Sequence, residues 1–256
     1  MFNLLDYPFL VLFGSLTLFL VAGWIGGASR GSRPAPEGNH EDLMFVLGGT
    51  LTLLGLIIGF SFSMAVNRYD QRKNYEEAEA NAIGTEYVRA DLLPAADAAK
   101  VRSLLKSYLD LRIRTYETRR SQKLREIDAD TARLQSELWS AVTAPTAPQQ
   151  SVMGLLVVGG MNDVLNSQSY TQAAWWNRIP SPAWALMMTI SIFCNLMIGF
   201  STRGKGLLLY LILPIALAIS LFLIADIDSP RSGIIQVQPQ NLESLAASLN
   251  SEAPQK

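Results

Sequence analysis

One cysteine and one histidine are all that the 256 residues offer of the commonest zinc ligands. Cys194 lies inside an apolar block, so no internal disulfide can form and no cysteine-based zinc site can be assembled. His40 stands alone in a Pro/Gly-rich loop, which excludes a histidine metal cluster and a Ser-His-Asp triad built on a buried imidazole. No Gly-rich phosphate loop, Walker sequence or HExxH segment occurs. No catalytic constellation and no cofactor motif is present, so the reading is not an enzyme. Charge is scarce as well. Asp, Glu, Lys and Arg make up 17% of the chain, against about 25% in soluble domains. The net charge of −1 gives no basis for a nucleic-acid partner.

What the chain does have is apolar residues, 49% of the total, gathered in blocks. A helix needs roughly 20 apolar residues to cross the ~30 Å hydrocarbon core. Four uncharged runs approach or meet that length: Pro8 to Gly27, Leu43 to Val66, Ala183 to Phe200, and Gly206 to Ala225. The flank before the first run carries Asp6 and no Lys or Arg, unlike a cleavable signal peptide. Trp24, Trp175, Trp176 and Trp184 mark span ends, where an aromatic ring suits the headgroup level. Pro180 and Pro182 turn the chain into the third span, and Pro214 is predicted to kink the fourth.

The pattern predicts an all-α membrane protein: four transmembrane helices, with a helical soluble domain inserted between spans 2 and 3. The expected divisions are 1–66 for the first two spans, 67–182 for the soluble domain, 183–225 for the last two spans, and 226–256 for a polar tail. Both termini and 67–182 then share one side of the bilayer. Arg68, Arg72, Lys73 and Arg178 lie on that side, and Arg30, Arg33, Arg203 and Lys205 on the other. The Arg68/Arg72/Lys73 cluster favours the cytoplasm for the domain.

No break separates the second span from the polar sequence after it. Gly84 is the first helix-weakening residue and Pro94 the first stop, so one helix is predicted from about Leu43 to Leu93. Its apolar positions beyond the membrane are few: Tyr69, Ala80, Ile83, Tyr87 and Val88. The next helix carries a stripe at Val101, Leu104, Leu105, Tyr108, Leu109 and Leu111. Arg112, Arg114, Arg119, Arg120, Lys123 and Arg125 read as a solvated face, since Glu117, Glu126, Asp128 and Asp130 are interleaved. Further helices are predicted over Ala129–Val142 and Val152–Tyr170, separated by a linker at Ala144-Pro-Thr-Ala-Pro. The tail beyond Asp228 reads as an extended arm whose last residues, Ser251 to Lys256, are disordered.

The second span carries the candidate functional face. Gly48, Thr52, Gly55, Gly59 and Ser63 recur at steps of three and four. Small residues of this kind serve close helix packing in lipid. Thr52, Leu56 and Phe60, spaced by four, could instead line a pore, where rings of such residues from several subunits gate by dewetting. No charged residue lies mid-membrane, which argues against a proton-relay transporter or ion pump. Asn195 is the strongly polar side chain of the third span and suits an interhelical hydrogen bond. Asp226 and Asp228 close the fourth span and are weak candidates for a cation.

The stretch Gly59-Phe-Ser-Phe-Ser-Met-Ala-Val-Asn-Arg-Tyr-Asp-Gln resembles the exit of the second span in bestrophin chloride channels. Glu77-Ala-Glu-Ala-Asn-Ala-Ile-Gly-Thr, Arg89-Ala-Asp-Leu-Leu-Pro and Asp226-Ile-Asp-Ser-Pro-Arg-Ser-Gly resemble a bacterial bestrophin-like family over most of the chain. The resemblance implies a homopentamer in a bacterial inner membrane, with chloride or another small anion passing an axial pore. Its apolar neck would fall on Thr52, Leu56 and Phe60, where Thr52 departs from the apolar pattern, with Ser63 beyond. Arg68 and Arg72 would stand at the pore exit, and Gly48, Gly55 and Gly59 would pack helices. Calcium-activated members carry a dense acidic run after the fourth span, where this chain has Asp226 and Asp228. The alternative reading is a non-conducting membrane scaffold or signalling protein acting through the soluble domain.

Overall fold

The computed structural model describes residues 6–29, 37–119, 121–146, 152–201 and 207–251. The expected charges of the loops at 30–36 and 202–206, and the expected disorder of 252–256, lie outside the described residues.

Every regular element among the described residues is helical. In chain order they are α1 (Pro8–Ser29), α2 (Glu37–Arg89), a 3-10 turn (Ala90–Leu92), α3 (Ala95–Glu117), α4 (Ser121–Thr146), α5 (Val152–Trp176), α6 (Ser181–Ser201), α7 (Leu207–Asp228) and α8 (Gln240–Ser251). Four of the described helices are long and apolar enough to cross a membrane. α2 is one helix of 53 residues, roughly 80 Å at 1.5 Å per residue. It starts earlier than Leu43, so His40 sits in helix rather than loop. It ends where the 3-10 turn closes on Leu93, whose amide donates to Ala90 at 3.0 Å, before Pro94 opens α3. Both α4 and α5 exceed their predicted lengths, and α4 runs through Pro145 into the expected linker. α7 continues as helix through Pro214.

The chain divides into two compact units. The first comprises the described residues up to Tyr69 and Arg178–Gln236; the second comprises Asp70–Asn177 and the described residues from Val237. The polar tail is therefore divided between them, at a boundary that composition did not mark.

In the first unit, α1 buries a narrow stripe of Ser15, Phe19, Ala22, Gly23 and Gly26. It turns Phe9, Leu10, Phe13 and Trp24 outward. Small residues inside and large apolar ones outside is the arrangement that lipid solvates. α1 packs chiefly on α6 and α7. A Cβ on Gly26 would collide with the Leu196 carbonyl, and one on Gly199 with the Gly23 carbonyl, so the α1 and α6 backbones touch directly. Phe19, Leu54, Met187, Cys194, Leu221 and Ile224 form the core of this unit. Asn195 donates to the Ser191 carbonyl within its own helix, at 2.8 Å, rather than to a neighbouring helix.

The second unit has a core of Ile83, Val101, Leu105, Tyr108, Leu138, Val157, Met161 and Leu242. The stripe predicted on α3 is there, with Leu104 and Leu111 at its margin. It also runs on through Arg112 and Thr115, which are buried. Arg112 thus leaves the basic run that was expected to be solvated. The tail forms α8 instead of an extended arm, with Leu242 and Leu249 in this core and Leu245 and Ala246 packed against it. Their i, i+3, i+4, i+7 spacing is the helical signal that the polar composition of the tail masked.

Candidate functional site

The membrane part of α2 has two faces. Leu47, Leu54, Ser61 and Ala65 are buried in the first unit. At 100° per residue, Thr52, Leu56, Phe60 and Ser63 fall on the opposite side. All four are exposed, with Leu56 at 55% and Phe60 at 68%. The Thr52 hydroxyl donates to the Gly48 carbonyl at 2.9 Å. Its hydrogen is thus used within the helix, and the side chain offers no free donor outward. That makes Thr52 less of a departure from an apolar row than its side-chain type suggests.

Gly48, Gly55 and Gly59 flank this row. A Cβ at any of the three would meet nothing within 4 Å. Glycines that do bring backbones together are Gly26 and Gly199 between α1 and α6, with Gly27 near the Gly199 carbonyl at 3.5 Å. The expectation of close packing at Gly48, Gly55 and Gly59 therefore finds no partner among the described residues of one copy.

Of the basic exit candidates, Arg68 pairs with Asp228 at 3.4 Å and is largely covered. Arg72 is buried, at 2% exposure, so it does not stand open to solvent within the chain. The reason lies in the rest of α2. Arg72, Glu76, Glu79, Ile83, Glu86 and Ala90 are all buried and recur at steps of three and four, making one continuous stripe. The apolar positions anticipated as the packing face are split: Ala80 and Ile83 are buried, while Val88 is exposed.

Two of the buried acids are saturated by donors. Glu79 accepts from Arg112 Nε, from Arg112 Nη2 at 3.4 Å and from Thr171 Oγ1 at 3.1 Å. Burial opposes the Arg112 charge, but the Glu79 carboxylate, helped by Tyr108, outweighs it and raises the guanidinium pKa. Burial and the same carboxylate push the Tyr108 phenol up too. Glu76 accepts from the amides of Asn241 and Leu242, each at 2.9 Å, and from Asn241 Nδ2 at 2.6 Å. These amides belong to the first turn of α8, so Glu76 does from a distant helix what an N-cap side chain does locally.

The cation candidates are occupied as well. Asp226 accepts from the amides of Ile234 at 2.7 Å and Ile235 at 2.8 Å. Asp228 accepts from the Ile179 amide at 3.2 Å and from Arg178 Nε at 3.1 Å, besides pairing with Arg68. Arg178 reaches on to Asp6 at 2.6 Å. Two carboxylates at a helix C-terminus oppose the macrodipole, and these amides and guanidinium groups offset that. These bonds tie Asp226 and Asp228 to the loop after α7 and to Arg68, Arg178 and Ile179. Among the described residues, no group of three or more His, Cys, Asp or Glu side chains is placed to hold a metal.

Comparison with known proteins agrees with this architecture. A Bestrophin-like domain matches residues 9–242. The fold is similar to a tryptophan-to-alanine variant of a bacterial bestrophin homologue from Klebsiella pneumoniae, with a TM-score of 0.67 at 12% identity and 94% of each chain covered. A leucine-to-threonine variant of such a homologue gives 0.66 at 12% identity, covering 95% of this chain and 99% of that one. A further structure of a Klebsiella pneumoniae bestrophin homologue gives 0.62 at 13% identity, covering 94% and 99%. No curated relative matches the sequence.

Proposed function

Since the chain belongs to the bestrophin-like family, we propose that it is a homo-oligomeric ion channel, anion-permeable and pentameric, whose neck is the Thr52, Leu56, Phe60 and Ser63 face of α2. The observation that carries this reading is the flank of Gly48, Gly55 and Gly59, which faces open space in a single copy. Each glycine in a helix interior costs about 1 kcal/mol relative to alanine. Three on one side, with nothing among the described residues of their own chain against them, are accounted for if the α2 helix of another copy lies against them. The adjacent row of Thr52, Leu56 and Phe60 then points to the axis between copies. With the Thr52 hydrogen directed back to Gly48, that row is an apolar constriction, which passes ions only when wetted.

Chloride is the expected permeant ion, on the strength of the family likeness. The bilayer is a bacterial inner membrane, and the Arg68/Arg72/Lys73 cluster favours the cytoplasm for the region between spans 2 and 3. Liposome flux tests the proposal. Purified protein releases chloride, and Leu56→Ala and Phe60→Ala raise the rate by widening the neck. Absence of chloride permeability in wild type and in both variants overturns it. An intact oligomer that stays silent in all three would favour the scaffold reading.

A further inference from the structure

Glu86 differs from its neighbours on the buried stripe of α2. It has no exposure to solvent, and neither carboxylate oxygen has a hydrogen-bond partner among the described residues. Glu76 and Glu79, by contrast, each accept three bonds. α5 closes over the site at Gly160. A Cβ there would collide with Glu86 Oε2 and lie 2.5 Å from Arg89 Nη1, so a backbone without a side chain covers both groups. The charged groups nearby are Arg89 on the same helix and Asp163 on α5. Asp91 of the 3-10 turn is engaged elsewhere, with Arg102 at 2.5 Å.

A buried carboxylate that accepts no hydrogen bond is disfavoured in its ionised form. The neutral acid is the form that fits. We propose that Glu86 is a proton-controlled latch between α2 and α5: the neutral carboxyl lets Gly160 seat against α2, and loss of the proton loosens that joint. Burial pushes the Glu86 carboxyl up from 4.5 to about 8, with Arg89 pulling it down and Asp163 pushing it further up. Because the closed-state value lies above the ordinary one, the latch is at full strength below about pH 4.5. It weakens as pH rises and is spent by about pH 8. This inference stands apart from ion permeation.

Hydrogen exchange of the purified protein in detergent, from pH 5.5 to 9, tests it. Protection factors, with the intrinsic pH dependence removed, are compared for α5 and for α3 as reference. In wild type, α5 protection should fall by up to about tenfold per pH unit and level off near pH 8, while α3 changes little. Glu86→Gln, a neutral isostere of the protonated form, should keep α5 protected throughout. Asp163→Asn, at an exposed position, should bring the plateau to lower pH, and Arg89→Gln should delay it to higher pH. A pH-independent wild type, a Glu86→Gln variant that keeps the wild-type slope, or an unmoved plateau in Asp163→Asn would each overturn the proposal.

Discussion

Removing the Arg112 guanidinium should destabilise the second unit more than any surface change can. Arg112 and Glu79 have side-chain exposures of 2% and 0%. In Arg112→Met the apolar stem is kept and the charge is lost. Glu79 then stays buried with Thr171 as its remaining hydrogen-bond partner. Breaking a buried pair by removing one member typically costs about 3–5 kcal/mol. For a unit of this size that corresponds to a loss of roughly 10–20 °C in the unfolding midpoint. Glu79→Leu should be comparably harmful, because it strands the guanidinium. The double variant Glu79→Leu/Arg112→Met removes both charges and should recover much of the loss, since apolar replacement of a whole buried pair is often neutral. The assay is thermal unfolding of the four proteins in one detergent, read as a double-mutant cycle. A cost below about 1 kcal/mol for Arg112→Met, or a double variant no better than the single one, would refute the assignment of this pair to a dry core.

The direct backbone contact of α1 on α6 predicts that Gly199→Val costs at least the roughly 1–3 kcal/mol of an overpacked core. Gly14→Val, at a position with open space around it, should cost little, and the yield of monodisperse protein distinguishes the two. Glu76→Ala should release the first turn of α8 at a cost of about 1–3 kcal/mol. Hydrogen exchange should then speed up over Gln240–Ser251 while α4 stays protected. Asp226→Ala strands the amides of Ile234 and Ile235 and should lower the unfolding midpoint. Millimolar calcium should leave the wild-type midpoint unchanged, and a calcium-dependent rise would contradict the structural role given to Asp226 and Asp228.

Much of the architecture can be read from local composition. The apolar runs, the uninterrupted passage from the second span into polar sequence, and the stop before Pro94 all depend on residues a few positions apart. The row of Thr52, Leu56 and Phe60 is legible for the same reason, since four-residue spacing defines a helix face in any fold. The three segments that carried the family likeness turn out to be joints of the fold. Glu79 binds Arg112, Ala90 and Leu93 enter the core, and Gly233 lies so close to Asp226 that a Cβ would collide with it. Their residue types give no sign of this, because the partners lie far along the chain.

The buried charged stripe of α2 was the largest feature hidden from the sequence. Arg72, Glu76, Glu79 and Glu86 look like the solvated surface of a polar helix, and on composition alone that is the sound reading. Glu79 is satisfied by Arg112 and Thr171, and Glu76 by the amides of α8, which stand 33, 92 and about 165 residues away. Hydropathy sums over neighbours in sequence and cannot register a donor that arrives from another helix. The sequence by itself determined that this is an all-helical membrane protein with a continuous second helix, because bilayer thickness and helical periodicity act on contiguous residues. Only the tertiary structure decided which face of that helix is free and which acids hold the fold together, because both depend on what packs beside them.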